Sequence, residues 1–208
     1  WRESFIDLAL LTLVLMALLS LLLYPKPTTN VQLTTAGSNN SNLTNSAISA
    51  GSLQSLICLA GFGCCVAMAM PQIHIVPYVM DLGHPAMRGA EMLGLMLGFG
   101  IISRIGSGWL SDRIGGVATL LLGSTLQLAV LIAFLTGNSL VFLYGISIAF
   151  GLSQGGIVPS YTIILRAFFP PKQAGWRIST SFLFTVAGMA FGGWIAGILY
   201  DLTGSYTV

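Results

Sequence analysis

The sequence predicts an all-α membrane protein with six transmembrane helices, and three observations predict it. The mean hydropathy is +0.87 with 7% charged residues, which leaves too little polar side chain to cover a water-facing surface. Apolar runs of about twenty residues or more recur along the chain, the length a helix needs to cross a hydrocarbon core of roughly 30 Å. Short polar turns separate most of them. Backbone polar groups in lipid must be satisfied within the spanning structure, so helices are the natural answer, and the short alternating segments of a membrane β-barrel do not occur.

The first span covers residues 5–24 and stops at Pro25, Lys26 and Pro27. Residues 25–46 are rich in Thr, Asn, Ser and Gly, the composition of a linker. The second span covers residues 47–79, too long for a straight crossing. Pro71 and Pro77 are expected to kink or break its far end. The third span covers 87–110, the fourth 117–135, the fifth 140–168 and the sixth 178–200. Turns at 81–86, 111–116 and 137–139 are short, so sequential helices are expected to pack antiparallel. Glycines at spacings near four, such as Gly94 and Gly98, or Gly188, Gly192 and Gly193, let helix backbones approach closely. Gly151, Gly155, Gly156 and Pro159 are placed to bend the fifth span around a cavity. This gives three expected parts: a helix at 1–24, a linker at 25–46 and a helical bundle at 47–208.

Orientation follows from the basic loops. Lys26, Arg113, Arg166, Lys172 and Arg177 fall on one side, against Arg2 and Arg88 on the other. The richer side is assigned to the cytoplasm, which places the linker and the Arg166–Arg177 turn there. The sequons at Asn39 and Asn42 then face the side where they are not modified. Scattered basic residues give no nucleic-acid interface. Cys58, Cys64 and Cys65 share one apolar run, match no metal or redox spacing, and read as packing residues. No cofactor is expected. Metalloprotease, serine-hydrolase and P-loop motifs are absent, so the sequence does not read as an enzyme or, alone, as an ATP-driven pump. The first residue is Trp1 rather than Met, and the expectation is a piece of a longer chain.

The segment Gly108-Trp109-Leu110-Ser111-Asp112-Arg113-Ile114-Gly115 has the form G-x-L-S-D-R-x-G. It resembles the signature loop of the major facilitator superfamily, although this copy continues in Gly116 rather than a basic run. Gln72-x-His74-x-Val76-Pro77-Tyr78 with Asp81 and Gly83 resembles the seventh helix of its monocarboxylate-porter and oxalate/formate-antiporter branch. Arg104-Ile105-Gly106-Ser107-Gly108 resembles the end of the eighth helix. Gly151, Gly155, Gly156 and Pro159 resemble the tenth, Gly192-Gly193 with Ala196-Gly197 the eleventh, and Trp1-Arg2 with Phe5 the start of a sixth. The resemblance implies helices six to eleven of a twelve-helix fold, mostly its C-terminal half. It also implies a mid-membrane site between two halves built from inverted repeats, with the N-terminal half supplied from outside this chain.

Arg104 is the strongest candidate for chemistry. It lies eight residues before Asp112, roughly 12 Å deeper along a helix. Burying a charge there costs about 2.5–3.5 kcal/mol on insertion scales. No Asp or Glu sits within a few turns of it on its own span. Its planar fork suits a carboxylate, and the resemblance implies that role; the competing role is an arginine snorkelling to headgroups. Animal monocarboxylate porters carry an Asp one turn before this arginine, where Gly100 stands here, and oxalate-type antiporters a Lys on the eleventh helix, which the sixth span lacks. Neither proton symport nor dicarboxylate exchange therefore follows. His74 and Tyr78 lie beside the prolines; a histidine there could contact substrate, shuttle a proton or satisfy freed backbone groups. Gln154 and Tyr161, with Gln54 and Ser160, either line the cavity or bond between helices. The family likeness makes Gly108, Asp112 and Arg113 a conformational latch. The expected whole is a multi-pass protein of the plasma (inner) membrane. It sits in lipid and moves small organic anions such as monocarboxylates by alternating access. A drug or sugar porter with a structural Arg104, or a non-transporting sensor, are the alternatives.

Overall fold

The computed structural model describes residues 49–204. The first expected span and the linker, residues 1–46, lie outside the described residues, as do the last four positions. Six helices follow one another: α1 (Ala50–Asp81), α2 (Ala86–Ile114), α3 (Gly116–Phe134), α4 (Leu140–Gln154), α5 (Ile157–Phe168) and α6 (Pro171–Thr203). With α4 and α5 in line, they make five membrane-length apolar spans. No strand occurs among the described residues. Large apolar side chains face outward along the spans, including Leu121, Leu128, Ile132, Leu183, Val186 and Trp194. An outer surface of this kind fits lipid.

Ser49 caps α1, its Oγ accepting from the Ser52 amide at 3.2 Å. Of the kink or break expected near Pro71 and Pro77, the break does not occur: α1 continues as helix through both prolines to Asp81. Proline removes one helix hydrogen bond, but tertiary packing holds this segment on two sides. Val76 lies against Gly89 of α2, where an added Cβ would come within 2.7 Å of the Val76 Cα, and Ile73 lies against Gly193 of α6.

The reversal between α2 and α3 is tighter than the turn expected at 111–116. Helix α2 includes Ser111, Asp112 and Arg113, and the chain turns at Gly115, whose φ of +86° favours glycine. The Gly115 amide donates to the Ser111 carbonyl at 2.9 Å. The fifth expected span does divide at Gly155 and Gly156, between α4 and α5. Helix α6 begins at Pro171, seven residues before the expected start at 178, with proline in its favoured first-turn position. Arg177 therefore lies on a helix, not in a turn.

The tightest seams join non-sequential helices, α1 with α6 and α2 with α4. Glycine sets both. A Cβ added at Gly188 or Gly192 would lie 2.4 Å from the carbonyl oxygens of Phe62 or Val66. Cβ atoms at Gly151 or Gly155 would lie 2.5 Å from those of Met96 or Gly100. In both seams the numbers rise together, so the paired helices run parallel, as alternating up-down spans require. Helix α5 runs through the middle, burying Ile157, Tyr161, Ile164 and Leu165. It packs chiefly against α3 and α6, and its buried side chains share one apolar cluster with Ile57 and Met68 of α1, Met96 of α2 and Phe150 of α4.

Candidate functional site

Helix α2 presents two different flanks. One strip, Ile102, Ser103, Gly106, Ser107 and Leu110, faces α3 and the α4–α5 junction across a mostly apolar groove of about 280 Å³. Arg104 does not line that groove. At 3.6 residues per turn it projects about a third of a turn from the strip's centre. Its exposed side chain has no ion pair or hydrogen bond among the described residues, whose ion pair is Arg88 with Glu91 at 3.1 Å. Arg104 stands ten residues before Ile114, so its Cα lies roughly 15 Å inward from that helix end.

Gly100 precedes Arg104 by four residues and shares its flank. A helix side chain leans toward the N-terminal turn, so Arg104 covers the turn that holds Gly100. A Cβ at Gly100 would stand 3.6 Å from Nε2 of Gln154. Gln154 ends α4 and is buried; its Oε1 accepts from Nε2 of Gln72 on α1 at 2.6 Å. Three helices thus bring Gly100, Gln154 and Gln72 together, with Arg104 one turn along α2 from Gly100. A Cβ at 155, one residue past Gln154, would stand 2.5 Å from the Gly100 carbonyl oxygen, so glycine there lets the two backbones meet. That contact sets the height of Gln154 relative to Arg104.

The other candidates lie elsewhere. His74 is two residues beyond Gln72, on the opposite face of α1. Its Nε2 lies 3.1 Å from the Gly193 carbonyl oxygen, so it joins α1 to α6. That carbonyl is on a neighbouring helix, not one freed by the prolines. Tyr78 donates from Oη to Oδ1 of Asn138 at 3.2 Å, near the α3–α4 connection. Tyr161 is buried on α5 against Gly61 of α1. Its hydroxyl makes no oxygen or nitrogen hydrogen bond among the described residues, and the Cys64 thiol is its polar neighbour. Ser160 spends its hydroxyl on the Gly156 carbonyl at 2.7 Å. At the end of α2, Asp112 is exposed and the Arg113 guanidinium lies 4.1 Å from the centre of the Trp109 ring. Gly108 has open space where a Cβ would stand.

Sequence reasoning missed two groups. Gln72 appears in the sequence only as the first letter of a family-like motif, and its partner is 82 residues away. Arg177 was counted as a loop cation, yet it is buried. Its Nε and Nη2 donate to Oε1 of Gln173 at 3.1 and 3.0 Å, and Nη1 to Oε1 of Gln54 at 3.4 Å. Its guanidinium stacks over Phe169, 3.9 Å from the ring centre. Gln54 returns the contact, donating to the Arg177 carbonyl and to Ser181 at 3.2 and 3.1 Å. The i,i+4 spacing of Gln173 and Arg177 was the readable signal. No group of three or more His, Cys, Asp or Glu that could hold a metal occurs among the described residues.

Five lipid-length spans, closed by glycine seams and apolar outside, define a multi-pass integral membrane protein. The chain belongs to the Major Facilitator Superfamily, whose family model matches residues 1–149 and 107–208. It is similar to monocarboxylate transporter 13 of Bos taurus and of Rattus norvegicus, each 27% identical over 140 residues, covering 66% of this chain and 33% of the relative. It is also similar to the uncharacterized MFS-type transporter YcxA of Bacillus subtilis (strain 168), 25% identical over 154 residues, covering 70% of this chain and 36% of that protein. The chain thus spans about a third of the length of these relatives.

Proposed function

We infer that the full-length protein carries small organic anions, monocarboxylates foremost, across the plasma (inner) membrane by alternating access. The observation that supports this reading is Arg104, a guanidinium on the Gly100–Gln154 flank with no counter-ion among the described residues. A charge held within the membrane's span is costly unless something compensates it. A carboxylate bound bidentately would do so, and would leave with the substrate. The names of the mammalian relatives point the same way. Asp112 and Arg113, at the cytoplasmic end of α2, act in this reading as the latch that meets the facing half as the cleft closes. Segments beyond this chain complete the site.

The test is uptake by the full-length protein in proteoliposomes. A panel of labelled short carboxylates should enter, and Arg104→Ala should abolish entry without lowering the amount of folded protein. Entry of neutral or cationic solutes instead, with Arg104→Ala indifferent, would make the protein a drug or sugar porter. Binding without flux would make it a sensor.

A further inference from the structure

We propose that the groove between α2 and α3 binds one anionic phospholipid of the cytoplasmic leaflet, an acyl chain lying in the groove and the phosphate held by Arg113. The groove exists because α3 packs more closely on α4 and α5 than on α2. A Cβ added at Gly123 of α3 would come within 3.0 Å of Ile157 Cγ1, whereas one at Gly106 of α2 would meet nothing within 4 Å. Between them lies the opening of about 280 Å³.

Its walls suit a hydrocarbon chain and not a polar solute. Ile102, Leu122, Leu126 and Leu152 line it, each about half exposed. Four hydroxyls also line it, and each donates to a backbone carbonyl: Ser103 to Leu152, Ser107 to Arg104, Thr119 to Gly115 and Ser153 to Phe150. No spare hydroxyl donor is left for a solute, while a chain lying there gains van der Waals contact on three sides. The depth also fits. On α2 the groove runs from Ile102 to Leu110, roughly 6–18 Å inside the helix end at Ile114. That is the reach of one leaflet, half of a hydrocarbon core of roughly 30 Å.

The charge stands at the mouth. Arg113 is seven residues past Gly106, about two helical turns, and so falls on the same face of α2. It is exposed, makes no ion pair among the described residues, and its guanidinium rests 4.1 Å from the centre of the Trp109 ring. Asp112 projects about 100° round the helix from it, off the groove. Arg166 and Lys172 are exposed at the same membrane side and add positive charge. Anionic headgroups are carried by the cytoplasmic leaflet, where basic residues attract them, and a guanidinium pairs well with a phosphate.

The experiment titrates lipid onto the detergent-solubilised full-length protein and counts bound lipid by native mass spectrometry. Phosphatidylglycerol should bind as one saturable lipid, roughly fivefold tighter than phosphatidylcholine with the same chains. Inorganic phosphate should not displace it, because the chain supplies most of the contact. Arg113→Gln should bring the two lipids within about twofold of each other and leave the affinity for phosphatidylcholine unchanged. Gly106→Leu, which fills the groove from a position with open space, should weaken both lipids about tenfold. If that variant does not assemble, Leu126→Trp on the facing wall should give the same loss. Equal affinity for the two lipids in the wild type, displacement by inorganic phosphate, or binding that survives Gly106→Leu overturns the proposal. So does the absence of saturable binding, the result if the rest of the full-length protein covers the groove. None of these outcomes bears on what Arg104 binds.

Discussion

Replacing Gly155 by alanine should do more damage than one methyl group ordinarily does. The new Cβ would stand 2.5 Å from the Gly100 carbonyl oxygen and 2.6 Å from the Ser103 Cβ. Carbon contacts are comfortable near 3.5 Å or beyond, so α4 and α2 must separate by about 1 Å. The opposing atom is backbone and cannot swing away. Overpacking of this kind costs about 1–3 kcal/mol, against which alanine returns about 1 kcal/mol of helix preference. The opening also strains the Ser103 hydroxyl's bond to the Leu152 carbonyl and moves Gln154 away from Gly100. The control is Gly145→Ala, earlier in the same span, where an added Cβ meets nothing within 4 Å. Thermal unfolding of the detergent-solubilised full-length protein should show a drop of several degrees for Gly155→Ala. Gly145→Ala should show no change or a small rise. Equal melting temperatures for the two would refute the claim that backbone contact between α2 and α4 sets the height of the site.

Three further outcomes follow from named contacts. His74→Ala should lower stability by about 1 kcal/mol through its lost bond to the Gly193 carbonyl, seen as a lower melting temperature with substrate half-saturation unmoved. Arg177→Met should destabilise by about 1–3 kcal/mol, because it strands the carbonyl oxygen of buried Gln54 and removes the guanidinium from the Phe169 ring; a melting curve equal to wild type would show that the stacked network contributes nothing. Asp112→Asn should slow maximal uptake severalfold, with half-saturation unchanged, if the end of α2 acts as a latch and not in binding.

The elements were legible because lipid imposes a length. Runs such as 87–110 and 117–135 lie within four residues of the observed helix ends. Two differences share a cause, which is that contacts distant in sequence override local signals. Pro71 and Pro77 read as a kink or a break, and there is no break, because packing at Gly89 and Gly193 holds α1 from outside it. Arg177 read as a loop charge, but Gln54, on another helix, satisfies it. A third difference is local: Ser111, Asp112 and Arg113 read as a turn, but the helix runs through them and the chain reverses at Gly115. The break at Gly155 and Gly156 could be read because two adjacent glycines weaken a helix wherever it packs. Which flank Arg104 occupies could not be read. A helix that is apolar all round carries no stripe to orient it. The pairing of Gln72 with Gln154 was equally hidden, since nothing local distinguishes those glutamines from Gln54 or Gln127.

The central claim is that Arg104 faces a water-filled cleft where an anion binds. Its most direct test is Arg104→Cys in a cysteine-free background of the full-length protein, treated with a membrane-impermeant charged thiol reagent. The account predicts rapid modification that a transported carboxylate slows. A thiol inert to the reagent, or one modified at the same rate with and without carboxylate, would place Arg104 against lipid or outside the binding site and contradict it.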